Sequence, residues 1–190
     1  MSESVKDRGV VAKSSRLKGM RVGFAICGGI GAVEVVKLIR ELRRHGAVIT
    51  PFASPSMTRF ITPLSVEWAA AAPLLTEAQA EVDHLEHFDL VVVAPATLNT
   101  INKAALGLTD NAVTLVIASQ LGRKAPVMFC PTMNEAMQKH PSYENSKQQL
   151  QSWGALFLEP VAEEGRFKMP TRETLLTAVV ELLNPENPLK

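Results

Sequence analysis

Three things are scarce in this chain: net charge, cysteine and long apolar runs. Its 20 basic and 19 acidic residues leave a formal charge of +1, so neither a nucleic-acid-binding face nor an acidic tail is implied. Only Cys27 and Cys130 occur. Both sit in apolar stretches that read as strands, where a small buried thiol is commoner than a disulfide. No apolar run approaches the roughly 18 residues that a membrane helix needs, and the N-terminus lacks the hydrophobic centre of a signal peptide. The expectation is a protein of a reducing, cytoplasmic compartment, with no membrane or nucleic-acid partner and no bound metal. Internal repeats and low-complexity tracts are also missing.

What is present suits one packed unit. A chain of 190 residues, 46% of them hydrophobic, is long enough for one buried core and short for two. Residues 1–19 mix Ser, Lys, Arg, Glu and Asp without an apolar period, which predicts a flexible arm, followed by a domain over 20–184 and a short tail over 185–190. From Met20 onward, strand-type runs alternate with helical ones. MRVGFAIC reads as a buried strand, AVEVVKLIRELRRHG as a helix ending at Gly46, and AVITPFA as the next strand. Pro63 opens a helix, and DLVVVAPA suits a strand covered on both faces. Helices are expected near 98–107, 110–122 and 142–153. APVMFC and ALFLEP are further strands, and a last helix is capped by Thr171. Alternation of this kind specifies an α/β fold with a single doubly wound parallel sheet, a flavodoxin-like or Rossmann-like three-layer sandwich that binds ligands at the carboxyl ends of its strands.

The first strand runs into Cys27-Gly28-Gly29-Ile30-Gly31, where glycines permit a tight turn and leave N–H groups facing outward at a helix start, a place that favours an anion. The same turn also serves simply to pack a helix closely on a sheet, and its spacing is not GxGxxG. The second strand continues Phe52-Ala53-Ser54-Pro55-Ser56-Met57-Thr58, without the acid that a dinucleotide site uses for a ribose diol. Hydroxyls beside backbone amides suit a terminal phosphate monoester, which points to a mononucleotide such as FMN rather than NAD. Ser54 and Ser56 also read as ordinary turn and cap residues.

The stretch VGFAICGGIGAVEVVKLIRELRRHGAVITPFASPSMTRFITPLS, together with APATLNTINKAALGLTDNAVT and PTMNEAMQKHP, resembles the homo-oligomeric flavin-containing cysteine decarboxylases, the family of phosphopantothenoylcysteine decarboxylase and the lantibiotic peptide decarboxylases. The likeness spans about residues 20 to 183. It implies FMN held between the subunits of a trimer or an assembly of trimers. Carried over by position, Gly28, Gly29 and Ile30 with Ser54, Ser56 and Thr58 surround the phosphate and ribose, while Ala96, Thr97 and Asn99 lie near the flavin ring. Asn134, with Met133 beside it, reaches the carboxylate of a cysteinyl substrate, and Arg166 matches the family's Gly-Arg segment. An amide suits that carboxylate because it donates without cancelling the charge that must leave as CO₂. Asn134 also reads as the cap of the next short helix, and Asp110 as the cap of the helix NAVTLVIASQLG rather than a catalytic acid.

Two departures from the family pattern matter. Its essential base is a histidine shortly before the strand ending in PAT. Without a gap from Asp89, Glu81 takes that place; with three residues deleted, His84 does. His84 is preferred because an imidazole exchanges protons near neutral pH, with His87 as the fallback; the segment also reads as a solvated helix surface. Members that return a reduced thiol carry a cysteine in the flap over the substrate, whereas the segment Glu159–Pro170 has none. The last proton then comes from an acid such as Glu163 or Glu164, or the final reduction does not occur. The resemblance implies decarboxylation of a cysteinyl compound, with 4'-phosphopantothenoylcysteine as the first candidate. Oxidative decarboxylation of a peptide's C-terminal cysteine, or flavin binding without catalysis, are the alternatives.

Overall fold

The structure, a computed structural model, describes residues 7–76, 87–163 and 166–186. Its frame is a five-stranded parallel sheet in the order β2-β1-β3-β4-β6. The strands are β1 (Arg21–Ile26), β2 (Val48–Ala53), β3 (Leu90–Ala96), β4 (Val127–Pro131) and the short edge strand β6 (Leu156–Phe157). β3 is central, and all seven of its residues are buried, as an apolar run without alternation requires.

Side chains alternate between two cores, as the pleat dictates. Phe24, Ile26, Val92, Ala94 and Met128 face one core. It is closed by α1 (Val35–Arg44), α2 (Pro63–Ala70) and α7 (Arg172–Leu183) through Leu38, Leu42, Val66 and Val179. Ala25, Val91, Val93 and Phe129 face the other core. There α3 (Leu98–Ala105), α4 (Ala112–Gly122) and α6 (Pro141–Ser152) contribute Ile101, Val113, Ile117 and Leu150. Each of the larger side chains among these, fully buried, contributes about 1.5–3 kcal/mol, so the doubly wound form follows from where these residues fall.

Several details differ from the sequence expectation. The first helix begins as a 3₁₀ turn, Ile30–Glu34, before α1 proper. The strand expected over ALFLEP is reduced to two residues that pair with Met128 and Phe129. Asp110 does not cap α4: Asn111 does, with its side chain accepting from the N–H groups of Val113 and Thr114. A second, antiparallel sheet was not expected at all. It joins β5 (Met133–Asn134), β8 (Arg166–Lys168) and β7 (Val161–Glu163) in the order β5-β8-β7. In the N-terminal stretch, the Lys13 N–H donates to the Arg44 carbonyl at 2.8 Å and that of Leu17 to His45 at 2.8 Å. Leu17 itself is fully buried.

Candidate functional site

The carboxyl ends of β1, β2, β3 and β4 open into one cavity of about 1550 Å³. A pocket for one drug-sized ligand measures about 300–1,000 Å³, so this space exceeds what one such ligand fills. Three strand-tip loops and the antiparallel sheet form its walls.

The glycine loop comes first. A Cβ at Gly28 would lie 2.1 Å from Ser56 Oγ and 2.7 Å from the Ser56 carbonyl carbon, so only glycine lets the β1 and β2 loops meet. The Gly28 N–H donates to Ser54 Oγ at 3.2 Å, and Ser54 Oγ lies 3.3 Å from Ser56 Oγ. Gly31 is also closely approached, though by side chains alone. A Cβ there would stand 2.7 Å from Met169 Cγ and 3.0 Å from Thr132 Cγ2. The start of a helical segment leaves its first N–H groups without intrahelical acceptors, and here those groups belong to Ile30 and Gly31 at the cavity wall.

The third loop follows β3. Thr97 caps α3, accepting from the Thr100 N–H at 3.4 Å, which turns Asn99 into the cavity. One turn further along α3, Lys103 pairs with Asp110, and both line the same wall. The Lys103 ammonium, with hydrogen bonds from Asn111 and Thr114, holds the Asp110 carboxyl below the usual carboxylate range. Beneath this wall, burial pushes the Cys27 thiol up to about 11 and Cys130 up to about 12, so neither is an acid or nucleophile at neutral pH.

The antiparallel sheet closes the far side. Its register sets Asn134 opposite Arg166 and Met133 opposite Phe167, and all four line the cavity. Asn134 caps the short helix α5 (Glu135–Gln138), its Oδ1 accepting from the Met137 N–H at 3.0 Å. Both roles expected of Asn134 are therefore compatible: Oδ1 is committed to the cap, and Nδ2 is the donor left for a ligand.

Of the residues named from sequence, the cavity brings together Gly28, Gly29, Ile30, Ser54, Ser56, Thr97, Asn99, Met133, Asn134 and Arg166. Three named residues that the structure describes, Ala96, Thr58 and His87, lie outside its lining. Ala96 is fully buried in β3, and Thr58 is exposed, its hydroxyl donating to the Pro55 carbonyl at 3.3 Å. His84, Glu81 and Glu164 fall outside the described residues, as does the side chain of Glu163, while His87 is exposed and off the cavity wall. Sequence reasoning missed Gly31, Lys103, Thr132, Lys168 and Met169. Lys103 was findable, since it follows Asn99 by four residues on a helix and so shares its face. The others meet through contacts that only the fold creates.

Comparison with known proteins bears on this geometry. The family model described as Flavoprotein matches residues 10–184. The coenzyme A biosynthesis bifunctional protein CoaBC of Thermococcus kodakarensis is 38% identical over 182 residues, which cover 92% of this chain and 45% of that protein. CoaBC of Borreliella burgdorferi is 31% identical over 151 residues, 75% of this chain and 38% of that protein. The chain thus spans less than half the length of these relatives. Among solved structures, a PPC decarboxylase variant complexed with pantothenoylaminoethenethiol superposes with a TM-score of 0.75 at 24% identity, covering 84% of this chain and 96% of that one. The FMN-dependent cysteine decarboxylase TvaF from thioviridamide biosynthesis gives 0.68 at 27% identity, covering 75% and 91%. With the doubly wound sheet and a glycine-walled cavity at its strand ends, this chain belongs to the Flavoprotein family.

Proposed function

We propose that the protein binds FMN and uses it to decarboxylate a cysteinyl substrate, with 4'-phosphopantothenoylcysteine the leading candidate. The observation that carries this reading is a single cavity in which a glycine–serine cradle and the Asn134–Arg166 pair face the same space. The cradle fits a phosphorylated flavin: amides of Gly29 and Ile30 and hydroxyls of Ser54 and Ser56 suit a phosphate, and Thr97 and Asn99 offer polar contacts to a ring edge. When bound, the flavin supplies two-electron chemistry that the side chains lack.

This chain's own residues then bind and orient. Asn134 Nδ2 donates to the departing carboxylate without neutralising it, which avoids stabilising the ground state against loss of CO₂. Arg166, one strand away, holds a part of the substrate that does not react. His84 takes the proton-transfer role, with His87 and Glu81 as the competing assignments. A solvent-facing apolar margin supports the homo-oligomer, a trimer on this reading. Ile30, Val33 and Phe60 line the cavity yet are 72%, 48% and 40% exposed, and a neighbouring subunit would cover them. Two buried free thiols accord with a cytoplasmic setting.

The test is product analysis by mass spectrometry after incubating flavin-loaded protein with 4'-phosphopantothenoylcysteine. A saturated thiol lacking CO₂ is expected. Accumulation of the enethiol instead assigns the oxidative reaction, to which the cysteine-free segment Val161–Lys168 is suited. No turnover of this substrate or of a peptide ending in cysteine leaves a flavin-binding protein without the activity.

A further inference from the structure

The last turn of α1 lies at the amino ends of the strands, away from the glycine-walled cavity, because this helix carries the chain from the tip of β1 back to the start of β2. Arg40 and Arg43 sit there one turn apart and share a face. Neither forms an ion pair among the described residues. The Arg40 guanidinium stacks on the Trp68 ring of α2, 4.1 Å from its centroid, and its Nη2 donates to the Gly9 carbonyl at 3.0 Å. Its Nη1 is buried without an acceptor. Arg43 donates through Nη1 alone, to the carbonyls of Arg8 at 3.0 Å and Ala69 at 2.7 Å. Burial and the neighbouring Arg40 charge both push the Arg43 pKa down, as happens to cations without a counter-charge.

These groups border a second cavity of about 260 Å³, lined by Arg8, Gly9, Arg43 and Ala71. That is smaller than a pocket for a drug-sized ligand, about 300–1,000 Å³, and several times the roughly 30 Å³ that one water occupies in the liquid. A small oxyanion with its waters fits it. Two of the four lining residues are arginines, and no acid is among them. The Arg8 side chain makes no hydrogen bond or ion pair among the described residues. The acid beside it in sequence, Asp7, is exposed, and its Oδ2 accepts from Trp68 Nε1 at 2.9 Å. Arg43 keeps Nε and Nη2 to donate with, and the planar fork of an arginine matches the oxygens of a phosphate.

We propose that this second cavity is a phosphate-binding site, in which Arg8 of the N-terminal segment and Arg43 of α1 hold one phosphate group and Arg40 adds its charge from the preceding turn. Bound phosphate ties the segment over residues 7–9 to the α1–α2 pair, at the other end of the strands from the large cavity. The inference does not depend on the FMN reading.

The experiment follows thermal denaturation of the full chain as inorganic phosphate is added, with sodium chloride of matched ionic strength as the reference. FMN is present in excess, so that the glycine–serine cradle is occupied. In wild type the midpoint is expected to rise and then saturate, as it does for a bound ligand; exclusion of the salt from the protein surface would raise it without saturation. Because the Arg8 side chain has no partner, Arg8→Gln should leave the phosphate-free midpoint unchanged. It should need about tenfold more phosphate, or beyond, for half the rise, as for loss of one charge-assisted hydrogen bond. Arg8→Lys should recover part of the affinity. AMP in place of phosphate separates two sources of the group: action at lower concentration assigns the terminal phosphate of a larger ester, and equal or weaker action the free ion. The inference is overturned if the wild-type rise does not saturate, or if Arg8→Gln responds to phosphate as wild type does. A protein that takes up no flavin sinks the FMN reading alone, for the difference between wild type and Arg8→Gln still decides this one.

Discussion

Replacing Gly28 by alanine is the sharpest perturbation of the cradle. The added carbon would sit 2.1 Å from Ser56 Oγ, 2.5 Å from Ser56 Cβ and 2.7 Å from the Ser56 carbonyl carbon, whereas carbon atoms rest about 3.5–4.0 Å apart. The Ser54–Ser56 turn must retreat by about 1 Å, because the third contact is backbone and no rotamer relieves it. Overpacking of this kind costs about 1–3 kcal/mol of stability. On the proposed FMN reading, the displaced Ser54 and Ser56 hydroxyls would lose a charge-assisted hydrogen bond to the phosphate, and FMN binding should weaken about tenfold to a hundredfold. Urea denaturation of the flavin-free protein and fluorescence-quenching titration with FMN read the two effects separately. Gly29→Ala is the control, since its Cβ would meet only Thr97 Cγ2, at an ordinary 3.5 Å, and its stability should stay within about 0.5 kcal/mol of wild type. Adding Ser56→Gly to Gly28→Ala should not rescue binding, for the carbonyl carbon remains. Wild-type stability and affinity in Gly28→Ala, or full rescue by Ser56→Gly, would refute the argument.

Other outcomes follow from the same structure. Asn111→Ala removes the acceptor for two N–H groups at the start of α4 and should cost about 1 kcal/mol in urea denaturation, whereas Asp110→Ala leaves that cap in place. His84→Asn in the flavin-loaded protein should lower turnover by about 10²–10⁴-fold with the flavin spectrum retained; an unchanged rate returns the base role to His87 or Glu81. Cys27 and Cys130, pushed up to about 11 and about 12, should resist iodoacetamide at pH 8 until denaturant is added. A last outcome concerns acid stability. Burial lowers the pKa of His45, against the opposing pull of Glu41. Burial raises that of Glu41, but hydrogen bonds from Lys13 and Arg44 outweigh it and leave the carboxyl below its usual range. Both folded values lie below the unfolded ones, so the unfolded chain binds more protons and stability falls with acidification. The loss should begin below about pH 6.5 through His45 and continue below about 4.5 through Glu41. Thermal denaturation of His45→Gln should lack the upper part of this decline.

Much of the fold was legible because its signals are local and long. The LVVVAPA run announces a strand buried on both faces, and the Pro63 and Thr171 starts mark helices that do begin there. The β5-β8-β7 sheet was not legible, since strands of two or three residues are too short to show a period of two. Asp110 reads as a cap because both it and Asn111 are residue types that cap helices; in the structure Asn111 holds the helix start and Asp110 pairs with Lys103. In the cavity, the glycines and serines could be read from strand ends. The contact of Met169 with Gly31 depends on how the small sheet folds back over the large one.

The most direct measurement is the visible absorption of the purified protein, followed by mass spectrometry of any chromophore released on denaturation. The account predicts the spectrum of an oxidised flavin and the mass of FMN. A colourless protein that takes up no added FMN at micromolar concentration would contradict it.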